Sequence, residues 1–315
     1  MTKAGRYKQL LIKNNTYIVF LILFLVCASL SGTFCSVMNL QNIALQQSGP
    51  ILVTIGMLFV VLTGGIDLSV GSVMALSASI AALLIRDYRM NFLLAILVAS
   101  VIGALFGAFT GSLVAYLDFQ GFVASLATMT IARGLAFVLT NGEPILVPIG
   151  TIDNLVSKSN HFPIILMAVV LIVLFYLIEK FTAWGRLVRA TGSNVTAVRF
   201  AGIRVRRYTL SVYAVSGILA ALAGIFVAAR TSSGSATVGE SQELDAIASC
   251  VIGGASLAGG KGSVVKAVFG ALVLALIGNI MNLMAVPSYP QDIIKGIIII
   301  IAVMLQVVTD KSKKS

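Results

Sequence analysis

From Thr16 to Val308 the chain is a succession of apolar runs, separated by short segments rich in glycine or cations. In hydrocarbon every backbone N–H and C=O must find a partner within the protein, so only helices and closed barrels can span it. Barrel strands alternate apolar and polar residues, and these runs do not alternate. Charged residues make up 10% of the chain and hydrophobic ones 58%, whereas soluble domains carry about 25% charged residues. A soluble globular protein, a disordered chain and a disulfide scaffold are all excluded. The expectation is an all-α, polytopic membrane protein forming a single transmembrane domain over residues 1–315.

A helix needs about 20 apolar residues to cross a bilayer. The runs divide into ten spans: Thr16–Gly32, Gly49–Thr63, Ser69–Ile85, Met90–Tyr116, Gly121–Thr140, Phe162–Leu177, Tyr208–Ala229, Glu243–Leu257, Ser263–Met284 and Asp292–Val308. The shorter ones must recruit flanking residues or be broken helices supported by neighbours. The basic and then apolar start resembles a secretory signal, but further spans follow and no small-residue cleavage site closes the run, so it reads as a first anchor helix.

Cation sorting gives the orientation. With both termini cytoplasmic, sixteen of the 22 Lys and Arg residues fall inside, seven of them in the loop of residues 179–207. Arg86, Arg89, Lys158 and Arg230 fall outside, and Arg133 and Lys295 lie within spans. The formal charge of +11 therefore reads as positive-inside topology rather than nucleic-acid binding. Pro50, Pro163 and Pro290 each open a span from outside, where a missing N–H costs nothing. Pro144, Pro148 and Pro287 fall in outer loops, and Trp184 at the inner boundary. Cys27, Cys35 and Cys250 lack metal-type spacing and read as packing residues, and a lone His161 argues against histidine metal chemistry.

Three segments stand out. The break Gly64-Gly65-Ile66-Asp67-Leu68-Ser69-Val70-Gly71 exposes backbone between two spans. An ionised Asp67 facing lipid would cost roughly 2.5–3.5 kcal/mol, so it either caps the following helix or lines a wet path, and the two are compatible. Gly253-Gly254 through Leu257 to Gly260-Lys261-Gly262 repeats the Gly-Gly-x-x-Leu-x-x-Gly pattern. It fails as a phosphate loop at both the first glycine and the Ser/Thr position. The third is the inner loop from Gly185-Arg186 through Gly192, Asn194, Ala197 and Arg199 to Gly202-Ile203. Ser193 or Asn194 can cap a short amphipathic helix there that Gly202 ends. Such a helix fits lipid headgroups and a partner's groove equally well.

Other features have ordinary readings. Gly103, Gly107 and Gly111 make a smooth packing stripe. Glu243 and Asp245 suit the positive end of a helix entering from outside or, with Glu240, recognition of an extracytoplasmic partner. Asp292 and Lys295 can pair on one helix face. Arg133, twelve residues into a span, must face the interior and pair with a carboxylate, Asp67 being the candidate.

Taken in order, Thr63–Gly71, Glu243-Leu244-Asp245-Ala246-Ile247-Ala248, Gly253–Gly262 and the loop Gly185–Ile203 resemble the membrane permease subunits of ribose-type ABC importers, over nearly the whole chain. The resemblance implies a type II-like permease of about ten helices, pairing with a second permease subunit, identical or paralogous. It implies a cytoplasmic ABC ATPase that carries the ATP and Mg, no cofactor in this chain, and a periplasmic or lipid-anchored sugar-binding protein. It casts Gly185, Arg186, Gly192, Asn194, Ala197, Arg199 and Gly202 as the coupling segment. The candidate path or hinge residues are Gly64, Gly65, Asp67, Ser69, Gly71, Arg133, Gly253, Gly254 and Gly260, and the candidate docking residues for the binding protein are Glu240, Glu243 and Asp245. A monosaccharide is the expected substrate, with a nucleoside, polyol or furanose signal as alternatives. An ion-coupled transporter would need more midplane ionisable residues than Arg133 and Asp67. A membrane enzyme would need clustered His, Cys or carboxylates.

Overall fold

Long uninterrupted apolar runs favour helices because each buried backbone group is then paired within its own segment. A computed structural model, which describes residues 14–147 and 162–312, follows this rule. Its helices are α1 (Asn15–Leu30), α2 (Val37–Leu62), α3 (Val70–Arg86), α4 (Phe92–Tyr116) and α5 (Gly121–Thr140). After the two-residue strand β1 (Ile145–Leu146) come α6 (Phe162–Phe181), α7 (Ala183–Ser193), α8 (Val195–Phe200) and α9 (Val205–Thr231). Strand β2 (Ser233–Gly234), α10 (Gln242–Ile252), α11 (Val264–Leu283) and α12 (Ser288–Ser312) complete the chain. Among the described residues six helices, α2, α4, α5, α6, α9 and α11, are long and apolar enough to cross a bilayer, and α1 and α3 are apolar but shorter.

The core forms around α9, which packs most extensively on α4, α2 and α3. The glycine stripe of α4 makes this approach possible. A Cβ on Gly103 would meet the Gly217 carbonyl, one on Gly107 the Tyr213 carbonyl, and one on Gly111 the backbone of Leu210. Gly217 of α9 is equally crowded against Gly103, so two glycine faces meet backbone to backbone.

Three elements depart from expectation. The eighth span is no full crossing: α10 has 11 residues, a length of about 16 Å. It follows Ser235–Ser241, a non-helical segment that Arg133 of α5 holds through the Ala236 and Val238 carbonyls. Non-helical backbone is tolerated at membrane depth only where protein satisfies it in this way. The second span starts at Val37 rather than Gly49, capped by Ser36, whose hydroxyl accepts from the Asn39 N–H at 3.2 Å. Pro50 consequently lies inside α2. Hydropathy missed this first half because it carries Asn39, Gln41, Asn42, Gln46 and Gln47. Finally, the described residues, otherwise helices and connections, contain one antiparallel ladder, with Ile145 opposite Gly234 and Leu146 opposite Ser233.

Pro163 and Pro290 do sit in the first turns of α6 and α12. Pro148, Lys158, His161 and the terminal cations Lys3, Arg6, Lys8, Lys13, Lys313 and Lys314 lie outside the described residues. Cys27 and Cys250 are buried and Cys35 is exposed.

Candidate functional site

Two glycine-rich breaks and the end of α7 converge. The Gly260 N–H donates to the Leu62 carbonyl at 2.9 Å, joining the second break to the end of α2. A Cβ on Gly192 would collide with that same carbonyl and with the Gly260 nitrogen. One on Gly259 would press on Gly192 and on the Gly64 nitrogen. Gly64, Gly259 and Gly260 all have positive φ (+82°, +90° and +74°), a region that side chains disfavour. Three chain segments thus touch through their main chains.

The first break is pinned rather than loose. Asp67 is 1% exposed. Its Oδ1 accepts from the Ser69 N–H at 3.0 Å and the Ser69 hydroxyl at 2.6 Å. Its Oδ2 accepts from the Ser216 hydroxyl of α9 at 2.8 Å. The Ile66 carbonyl accepts from Tyr213 of α9 and Ser125 of α5, both at 3.3 Å. A polar turn buried in an apolar bundle is thereby satisfied. Asp67 forms a turn three residues before α3 and ties it to α9. Ser69, at the N-cap of α3, receives no cap bond through its own side chain.

The expected pairing of Arg133 with Asp67 does not occur. Asp67 lies level with the start of α5, where Ser125 meets Ile66. Arg133 lies eight residues further along, about 12 Å of helical rise away. Its guanidinium instead donates to the Ala236 and Val238 carbonyls, the latter at 2.9 Å. Glu240 and Glu243 are the carboxylates that attract its charge. Gly71 lies beside them: a Cβ there would meet the Gly239 carbonyl and the Glu243 carboxylate. Glu240 is exposed, Glu243 is half-buried against α3, and Asp245 sits 4.0 Å from Lys295 Nζ. Lys295 also lies 4.0 Å from Asp292, the pair expected on α12. The three expected docking residues thus differ in exposure and in partners.

The loop of residues 179–207 folds as two capped helices. Thr182 caps α7, its hydroxyl accepting from the Gly185 N–H at 3.1 Å. Asn194 caps α8, accepting from the Ala197 N–H at 2.9 Å, and Gly202 ends it at φ +76°. Val198 faces inward, while Ala197, Arg199 and Phe200 are exposed, Phe200 by 88%. Gly185 packs against the Ile178 and Glu179 carbonyls, and Arg186 is exposed. Trp184 anchors α7, with its Nε1 donating to Ser211 of α9 at 2.9 Å and its ring 4.9 Å from Phe59 of α2.

Sequence reasoning missed two features. Glu179, 5% exposed, accepts from the Val264 N–H at 2.8 Å and from Arg189. Arg189 also donates to the Gly262 carbonyl at 3.2 Å. One carboxylate at the end of α6 therefore links α7 to the first turn of α11. A charge so near the end of an apolar run was the available signal. The second is a polar cavity of about 210 Å³ among α2, α10, α11 and α12. Its amides come from four separate helices, so no local motif marks it. Gly253 and Gly254 lie at the end of α10, where a Cβ on Gly253 would strike the Lys266 carbonyl of α11. Among the described residues no group of three or more His, Cys, Asp or Glu side chains could hold a metal.

Residues 39–303 match the family described as branched-chain amino acid transport system / permease component. A ribose import permease protein of Haemophilus influenzae is 40% identical over 96% of this chain and 94% of its own length. One from Escherichia coli (strain K12) is 39% identical over 96% and 97%. A xylose transport system permease protein of Haemophilus influenzae is 32% identical over 98% and 100%. No solved structure matches.

Proposed function

The chain belongs to the branched-chain amino acid transport system / permease component family, and on that premise we propose that it is the pore-forming subunit of an ATP-driven ABC importer for a monosaccharide. The observation that carries the reading is end-to-end similarity to two ribose import permease proteins, at 39–40% identity over 96% of the chain. The subunit resides in the bacterial cytoplasmic membrane, with ten membrane segments and both termini inside. The positive-inside count supports that orientation. In this scheme α10 is one of the ten as a half-crossing.

A cytoplasmic ATPase, holding the ATP and Mg, docks on α8 and covers Phe200. An extracytoplasmic sugar-binding protein delivers substrate near Glu240. A second permease subunit completes the pore. Closure of the ATPase moves α7 and α8 as a unit. Trp184 carries that motion to α2 and α9, and the Glu179–Arg189 pair carries it to α11. The glycine contact of Gly64, Gly192 and Gly260 is where these movements meet. Gly64 and Gly254, at positive φ, supply the backbone freedom, Gly65, Gly71 and Gly253 allow the close approaches around them, and Asp67, Ser69 and Arg133 keep the broken segments anchored as they move.

The test is uptake of labelled D-ribose into proteoliposomes holding the permease with its ATPase and binding protein. Uptake should require ATP on the cytoplasmic side and should survive collapse of proton and sodium gradients. Uptake that follows an ion gradient without ATP would overturn the reading in favour of a secondary transporter.

A further inference from the structure

The cavity among α2, α10, α11 and α12 shares Asp245 with the docking residues and is otherwise accounted for neither by them nor by the coupling path. Its volume, about 210 Å³, is below the roughly 300–1,000 Å³ of drug-sized pockets, so it suits a small solute. Its walls are crowded with amides: Gln46 and Gln47 from α2, Gln242 from α10, Asn279 and Asn282 from α11, Gln291 from α12. Polar groups are costly inside a bilayer and persist where they face water, a partner or a ligand.

The chemistry of the lining narrows the occupant. An amide both donates and accepts, which matches a hydroxyl that does the same. Asn279 is committed to Asn39, at 2.8 and 3.0 Å, and Gln291 to Asn282, at 2.8 Å. The side-chain amides of Gln46, Gln47 and Gln242 form no hydrogen bond with another described residue. The one anion and one cation in the wall, Asp245 and Lys295, sit 4.0 Å apart, so the cavity offers no net charge to an ion. Pro50, Ala271 and Leu274 supply an apolar strip, a surface for the C–H face of a ring.

Position links the cavity to the moving parts. Gln242, Asp245 and Ser249 occupy one face of α10, at spacings that align on a helix, and all three line the cavity. The same helix ends at Gly253, where the second glycine break begins. Thr54 and Ser249 are buried at the floor, and Gln46 and Asn282 are exposed at the mouth. Gln46 lies sixteen residues before Leu62 on α2, about 24 Å of rise. The mouth therefore opens at the end of the bundle opposite the glycine contact.

We propose that this cavity is a binding subsite for a neutral polyhydroxylated solute of monosaccharide size, read by the free amides of Gln46, Gln47 and Gln242. Its occupancy would be reported to the glycine break through α10. The proposal rests on the importer reading above, and the experiment separates the two. ATP-driven uptake of D-ribose, D-xylose and L-leucine is measured in proteoliposomes of the full complex, for the wild type and for Gln47→Leu, Gln242→Leu and Gln41→Leu. Gln41→Leu, on α2 outside the cavity, is the control. Gln47→Leu and Gln242→Leu should each lower sugar uptake about ten-fold, the loss expected for an unmade hydrogen bond of this kind. ATPase stimulation by loaded binding protein should stay at the wild-type level, as should uptake by Gln41→Leu.

Sugar uptake by the wild type that neither variant changes overturns the subsite alone. Uptake and ATPase stimulation lost together also overturn it, because that pattern belongs to a structural role. A wild type that carries L-leucine and neither sugar overturns the importer reading and the ligand class with it. If either variant fails to insert, saturation transfer from the detergent-solubilised wild-type complex to D-ribose, without binding protein, decides. Transfer competed by D-xylose and untouched by L-leucine supports the subsite, and its absence overturns it.

Discussion

Glu179 and Asp67 are carboxylates removed from water, and each survives burial by accepting from groups that would otherwise be orphaned. Glu179 takes the Val264 N–H, one of the unpaired donors at the start of α11, besides its contact with Arg189. Glu179→Ala should cost about 1–3 kcal/mol, because a buried N–H loses its acceptor. Arg189→Ala should cost less, since that side chain is 43% exposed and water replaces much of what it loses. Denaturant unfolding of the purified protein checks the order. Equal losses would mean that the ion pair, and not the capped N–H, carries the stability. Asp67 could be flagged from sequence as a costly group needing partners, but its partners could not be named. Ser216 is 149 positions away, and nothing local announces the contact. Arg133 was misassigned for a related reason: sequence shows that a buried cation must be paired, whereas helical rise decides with what.

At the level of elements, helices dictated by continuous apolar runs were legible almost to the residue: α5 is the expected Gly121–Thr140. Where an element is held by tertiary partners, legibility fails. The amide-bearing half of α2 looked too polar to cross, and α10 looked long enough to cross because its apolar run continues into the break at Gly253. The capped helix α8 was readable because capping is local: Asn194 needs only Ala197. Asn194→Ala should remove roughly 1 kcal/mol from that six-residue helix and lower sugar-stimulated ATPase activity while insertion is unchanged. Unaltered stimulation would dissociate α8 from coupling. Close approach provides a sharper comparison. Gly192→Ala should impair assembly or coupling, since its Cβ meets the Leu62 carbonyl, whereas Gly134→Ala, with nothing within 4 Å, should behave as wild type. Thermal stability and ATP-driven uptake of the two variants, measured side by side, check this.

For the molecule as a whole, the cation count makes an orientation claim that a native thiol can test. Cys35 is exposed between α1 and α2, while Cys27 and Cys250 are buried. With both termini inside, a membrane-impermeant thiol reagent should label Cys35 from the periplasmic side of spheroplasts and not from the inside-out face of inverted vesicles. The opposite result would invert every loop. Architecture also has a consequence in time. The α2 helix is almost wholly buried between Ile51 and Leu62, in large part by α9, yet about 170 residues of synthesis separate their ends. At roughly 5–20 residues per second, α2 waits on the order of 10–30 s for the neighbour that covers it. During that interval Ser48, Thr54 and the α2 amides lie in the membrane without their eventual surroundings. The expected consequence is that an insertion factor stands in for α9 during that interval, and ribosome-bound chains ending before Val205 should be the ones it holds.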